Sequence, residues 1–186
     1  MDSELFNTYN NLKSHKIILY PTDTVWGIGC DATSETAVAK IYTIKKREES
    51  KSLVILVNSI EMLKQYIDDI PKRLADILNN AIKPTTIIYN NPKGLAKNVI
   101  AKDNTVAIRI TNDEFCQKLI QKFGKPIVST SANISGMTTP KTFKEIDLAI
   151  LDTVDYVVNL YHDKKTGSPS SIIKVNSKGE LVYIRK

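Results

Sequence analysis

Cysteine and histidine are both scarce, with two of each in 186 residues. Cys30 and Cys116 have no CxxC spacing and allow at most one bridge, so they read as reduced, partly buried thiols. His15 and His162 stand far apart with no HExxH or HxxxH partner, which argues against a histidine-built zinc site. No apolar run approaches the ~20 residues that a membrane-spanning helix needs. The opening MDSELFNTYNNLKSHK has neither the basic start nor the apolar stretch of a signal peptide, so the cytoplasm is the expected compartment. The familiar nucleotide loops are missing as well. There is no GxxxxGKS or GxxxxGKT, and Gly27 and Gly29 lack the third glycine and the following helix of a GxGxxG fingerprint. Without a GxSxG elbow, a hydrolase nucleophile is not suggested.

What is present suits one folded unit over residues 1–186, long enough to bury a core without staples. The formal net charge of +6 fits a polyanionic ligand, nucleotide phosphates or RNA, and equally fits scattered surface lysines. Short runs rich in Ile and Val predict strands over 17–20, 53–57, 86–89, 106–110, 127–129, 156–160, 172–175 and 181–184. Helical spacing is read over 35–46 (after a Ser34 cap), 60–67, 71–80, 113–123 and 142–151, with Phe123-Gly124 as a helix stop. This alternation predicts an α/β fold. The closing strands lack helices long enough for parallel crossovers, so the sheet is expected to be mixed. The stretch DKKTGSP, 163–169, is the most loop-like segment.

Four places offer chemistry. In YPTDTVWGIGCDA, from Tyr20, threonine hydroxyls flank Asp23 at a strand end, which reads either as a polar ligand site or as a plain turn. Lys45 and Arg47 begin a charged loop leading onto a strand. They are either a grip for phosphate oxygens or a solvated helix end that complements the dipole. Ser129-Thr130-Ser131-Ala132-Asn133 clusters hydroxyls and an amide just past a strand, where α/β folds often place ligands; a polar turn is the alternative. Arg109 interrupts the apolar strand TVAIRI, so it either faces solvent or meets an anion, because an unpaired buried charge is costly.

In this order the segments resemble the YrdC/TsaC family. YPTDTVWGIGCDA is similar to that family's PT(D/E)TVYGLG segment, and Lys45 with Arg47 to its KxR pair. KSLVILV, TVAIRI and PIVSTSANISG resemble the strand after KxR, the VA(V/I)R strand and the SxN motif. Thr139-Pro140, and GSPSSII with the terminal Tyr183-Ile184-Arg185, complete the likeness. Glu48 stands where many members have proline, and Leu56 resembles the short bacterial type.

The resemblance implies a YrdC-like twisted, largely mixed β-sheet flanked by helices, in a single domain. It implies synthesis of threonylcarbamoyl-AMP from L-threonine, bicarbonate and ATP with loss of pyrophosphate. A separate tRNA threonylcarbamoyl transferase complex would use the product to modify tRNA. By the same resemblance Lys45, Arg47, Thr105, Ser131, Asn133, Thr139 and Arg185 surround ATP. Of these, Lys45, Arg47, Ser131 and Asn133 are the catalytic candidates. Thr22, Arg109, Ser129 and Ser170 would hold threonine, with Arg109 on its carboxylate, and Mg²⁺ would arrive with the nucleotide. Two other readings remain open: a non-catalytic paralogue that binds tRNA or double-stranded RNA, and a carbamoyl-transfer module of hydrogenase maturation. No membrane partner is expected.

Overall fold

The computed structural model describes residues 1–48, 52–71, 74, 83–175 and 180–185. Its strands are β1 (Ile18–Tyr20), β2 (Gly27–Gly29), β3 (Val54–Val57), β4 (Thr85–Asn90), β5 (Thr105–Ile110), β6 (Ile127–Ser131), β7 (Tyr156–Val157), β8 (Ser171–Val175) and β9 (Leu181–Arg185). They join one sheet in the order β7-β1-β2-β6-β3-β5-β4-β8-β9. The pairs β1–β7, β3–β5 and β4–β8 are parallel and the others antiparallel, so the sheet is mixed, as expected.

The described helices are α1 (Asp2–Lys13), α2 (Glu35–Ile44), α3 (Ile60–Tyr66), α4 (Glu114–Phe123) and α5 (Leu148–Leu151). Side chains of Ser34, Ser59, Asp113 and Asp147 cap the first turns of α2, α3, α4 and α5 by accepting backbone N–H bonds. Gly124 ends α4 in the left-handed region at φ 74°, where a side chain would be strained. The helices press apolar faces onto the sheet, and Leu12, Val38, Ile41, Leu63, Phe115, Leu119 and Ile120 join the strand residues in one core.

The differences from the sequence reading have local causes. Helix α2 stops at Ile44 rather than at residue 46, because Lys46 takes a positive φ of 48°. The span 142–151 divides into a 3-10 turn (Phe143–Glu145) and the four-residue α5. The strand expected over 156–160 keeps only Tyr156–Val157. Helix α1 and strand β2 were not anticipated: α1 is weakly amphipathic, and β2 is Gly-Ile-Gly, poor in strand formers. The helix expected over 71–80 lies outside the described residues except for Pro71 and Leu74, and Leu74 is buried.

Strand β2 is specified by contact rather than by propensity. The Tyr20 ring lies against it, and the Tyr20 hydroxyl donates to the Val128 carbonyl at 3.1 Å. A Cβ at Gly29 would stand 2.4 Å from that carbonyl oxygen and 2.6 Å from Tyr20 Cε1. At Gly27 the nearest atom would be Ser129 Oγ at 3.2 Å, the end of a side chain that can turn away. Gly29→Ala is therefore expected to lower stability by about 1–3 kcal/mol in urea denaturation, the range for overpacking a core. Gly27→Ala should cost clearly less, and equal losses would show that the approach of β2 to β6 is not what limits this position.

Candidate active-site cleft

Seven of the eleven residues singled out from the sequence, Arg47, Arg109, Ser129, Ser131, Thr139, Ser170 and Arg185, meet at one cleft on a face of the sheet. Side chains two apart on a strand share a face, and the register lines up four strands, β2, β6, β3 and β5: Gly27 is opposite Ser131, Val54 opposite Ser129, and Leu56 opposite Arg109. From β8 and β9, Ile172 and Arg185 pair across the sheet and reach the same face. Gly27, Val54, Arg109, Ser129, Ser131, Ile172 and Arg185, together with Thr24, Arg47, Ser52, Thr139 and Ser170, line a cleft of about 210 Å³, while Leu56 is buried beneath it.

Among the described residues none of those lining the cleft is acidic, and three are arginines: Arg47, Arg109 and Arg185. Arg109 is 3% exposed, and its NH1 donates to Asp23 Oδ1 at 2.7 Å. The sequence left solvent or an anion open for Arg109; in the folded chain it is buried and meets the carboxylate of Asp23. Its Nε is buried without a partner among the described residues. Arg185 Nε donates to the Ser170 carbonyl at 2.8 Å, and the Ser170 hydroxyl shares a 2.7 Å hydrogen bond with Thr86. Burial, and then the charge of Arg109, hold the Arg185 guanidinium below the usual arginine range. Arg47 NH2 donates to the Ser52 carbonyl at 3.0 Å, tying the chain after α2 to the start of β3.

Four of the candidates stand behind the lining. Lys45 is 1% exposed, and its Nζ donates at 2.5 Å to the carbonyls of Ser131 and Asn133. The Lys45 carbonyl in turn accepts from the Ser135 amide at 2.8 Å, so both ends of this residue grip the loop after β6. Burial, and then the charge of Arg47, push the Lys45 ammonium down to about 8. Asn133 Nδ2 closes the same loop on the carbonyls of Met137 at 2.6 Å and Ile134 at 3.2 Å. Thr22 Oγ1 donates to the Val25 carbonyl and accepts from the Thr24 amide, which makes it the brace of the turn that carries Thr24 into the cleft. Thr105 Oγ1 donates to Asp103 Oδ1 at 2.7 Å at the start of β5. Glu49, Ser50 and Lys51, the rest of the charged loop, lie outside the described residues.

Sequence reasoning offered the two threonines flanking Asp23 as a ligand site, of which Thr24 lines the cleft, but passed over Ser52, Pro169 and Ile172 as lining residues and Asp23 as the partner of Arg109. Only Asp23 carried a usable signal, since a carboxylate between two threonines is the acid closest to the first strand end. Cys30 and Cys116 are fully buried in the core, and burial pushes both thiols up, away from nucleophilic use. Among the described residues no three His, Cys, Asp or Glu side chains group to hold a metal, and none of the described helices is long and apolar enough to cross a membrane.

Known proteins share this architecture. The chain is 35% identical over 151 residues to the threonylcarbamoyl-AMP synthase of Pseudoalteromonas translucida (strain TAC 125), covering 80% of this chain and 81% of that one. It is 36% identical over 140 residues to the enzyme of the same name from Escherichia coli (strain K12), covering 73% of each. The P. abyssi Sua5 protein complexed with L-threonine superposes with a TM-score of 0.88 at 25% identity. That match covers 97% of this chain and 53% of the other, so the chain spans about half the length of the P. abyssi protein. E. coli YciO shares the fold at a TM-score of 0.85 and 22% identity, over 100% of this chain and 90% of its own. The family Sua5_yciO_yrdC, described as telomere recombination, matches residues 10–186, and this chain belongs to that family.

Proposed function

We propose that this chain is a nucleotidyltransferase that makes threonylcarbamoyl-AMP from L-threonine, bicarbonate and ATP, for the threonylcarbamoyl-adenosine modification of tRNA in the cytoplasm. The observation that carries this reading is the convergence of three guanidiniums on one hydroxyl-lined cleft with no acidic residue among the described lining. Such a cleft suits a ligand pair that brings several negative charges, as a nucleotide triphosphate and an amino-acid carboxylate do. The naming of the bacterial relatives as threonylcarbamoyl-AMP synthases supports the same conclusion.

The chemistry needs little from the protein beyond position and charge. The neutral amine of threonine and bicarbonate give a carbamate and water. A carbamate oxygen then attacks the α-phosphorus in line, and pyrophosphate leaves with the bonding pair. The nucleophile is already an anion, so a strong general base is unnecessary, which agrees with the absence of His and Cys from the lining. Arg109, flanked by Ser129 and Ser170, takes the threonine carboxylate. Arg47, Ser131, Thr139 and Arg185 take the nucleotide. Lys45 and Asn133 act one step back, holding the loop that presents Ser131; Thr22 and Thr105 set the turn and the strand start. The described residues of the cleft include no carboxylates to cage a divalent ion, which suits Mg²⁺ entering as the counter-ion of the ATP phosphates. The product passes to the complex that modifies tRNA.

Pyrophosphate release, measured with ATP, bicarbonate and one amino acid at a time, should depend on threonine. Release with none of the amino acids would overturn the reading and leave RNA binding by the basic chain as the function to measure. Arg47→Ala should raise the ATP requirement and Arg109→Ala the threonine requirement, each losing on the order of 2–4 kcal/mol of transition-state stabilisation. An unchanged threonine requirement in Arg109→Ala would remove that assignment.

Lys45 gives a pH signature. Its charge strengthens its bonds to two carbonyls, so kcat/KM should fall as pH rises through about 8, its folded-state value. Stability should move the other way. The folded pKa lies below the ordinary 10.5, so between about 8 and 10.5 the unfolded chain holds more protons and this group's contribution to stability increases with pH. Lys45→Arg keeps the charge and should remove the alkaline fall in kcat/KM; a profile identical to wild type would exclude Lys45 as its source.

A further inference from the structure

Arg109 engages only one of its five N–H donors with another described residue, through NH1, and what it engages is a carboxylate. Asp23 reaches it from the turn between β1 and β2, while Arg109 sits on β5, 86 residues away in sequence. Asp23 is itself only 16% exposed, so the pair is held largely out of water and its geometry is firm. Asp23 is not among the residues lining the cleft. It lies just behind, at the wall of a smaller crevice formed with Trp26, Tyr161, Lys164, Lys165 and Thr166. Gly167 crosses over the same turn, so close that a Cβ there would lie 3.5 Å from the Thr24 carbonyl and 3.8 Å from that of Asp23.

A guanidinium presents two edges, each able to take a carboxylate in a fork. We infer that Asp23 is the positioning residue for substrate recognition: by fixing the NH1 side of Arg109, it turns the unpartnered Nε toward the carboxylate of the amino acid. The inference rests on the proposed reading of the cleft, in which Arg109 meets that carboxylate, and deepens it by naming what aims Arg109. A second consequence concerns charge. Arg109 and Arg185 line the same cleft, and the charge of Arg109 adds to burial in holding Arg185 below the usual arginine range. Asp23 offsets the Arg109 charge before any substrate arrives, so the unliganded cleft tolerates both. Asp23 touches Arg109 directly and reaches Arg185 only through that charge, so its main effect is expected on the amino acid rather than on the nucleotide.

The test uses the full chain with steady-state kinetics in both substrates, on Asp23→Ala, Asp23→Asn, Arg109→Lys and the double variant Asp23→Ala with Arg109→Lys. Asp23→Ala should raise the threonine KM at least tenfold and leave the ATP KM within about twofold. Asp23→Asn keeps an oxygen acceptor for NH1 and should recover most of that loss. It also keeps the question answerable if the alanine variant does not fold. The double variant should be no worse than Arg109→Lys alone, because a residue acting through Arg109 has nothing left to act on. Additive losses, or an equal rise in both KM values, would overturn the positioning role while leaving the synthase reading intact. Wild-type protein without threonine-dependent turnover would overturn both.

Discussion

Burying the Arg109 guanidinium on an interior strand, with Asp23 arriving from the far side of the sheet to meet it, is the constraint around which the cleft is arranged. An unpaired charge at 3% exposure would cost several kcal/mol. The pairing demands that the turn after β1 lie over β5, although β2, β6 and β3 stand between those strands in the sheet. The glycines of β2 keep that path low. Gly29 has no room for a Cβ between Tyr20 and the Val128 carbonyl, and Gly27 opens onto the cleft itself. The Thr22 hydroxyl fixes the turn, and a tilted Trp26–Phe143 contact with a stacked Phe143–His162 pair fastens its other end.

Lys45 is the second buried cation, and it solves a different problem. The chain leaving β6 must turn sharply while keeping Ser131 on the cleft face, and this leaves the carbonyls of Ser131 and Asn133 pointing inward. Buried carbonyls need donors, and one ammonium satisfies both. The arrangement explains why the KxR-like spacing carries two unlike residues. Lysine, a compact point donor, suits two convergent carbonyls. Arginine, with its planar fork, reaches past the backbone to the cleft and still ties itself to Ser52.

Much of the sheet was legible because its strands are buried runs of Ile and Val, where burial and propensity agree. Strand β2 was hidden for the opposite reason: it pairs through backbone alone and has almost no side chains to announce it. Helix α1 was hidden because its apolar residues are few, and it packs chiefly against α4, a contact distant in sequence. For the cleft, Arg109 was conspicuous as a charge in an apolar strand, and the hydroxyl cluster after β6 as unusual density. What sequence alone could not separate was lining from support. Lys45 and Arg47 stand two apart in the same motif and face different things, and the register of a loop has no period from which to read that.

The distribution of charge also accounts for the missing phosphate-binding loop. A glycine-rich loop at a helix start holds phosphates with backbone N–H groups, and it needs a helix opening directly onto the ligand. Here the segment after β1 leads into β2 rather than into a helix, so that device is unavailable at this position. Side chains supply the positive charge instead, drawn from the chain after α2, from β5 and from β9, and spaced by the sheet. Side-chain cations repel one another more strongly than backbone amides do, and the charge of Arg109, after burial, helps hold the Arg185 guanidinium below the usual arginine range. The cleft answers it with one carboxylate placed behind the wall rather than in it. Asp23 meets Arg109 from the neighbouring crevice without taking up space in the cleft itself.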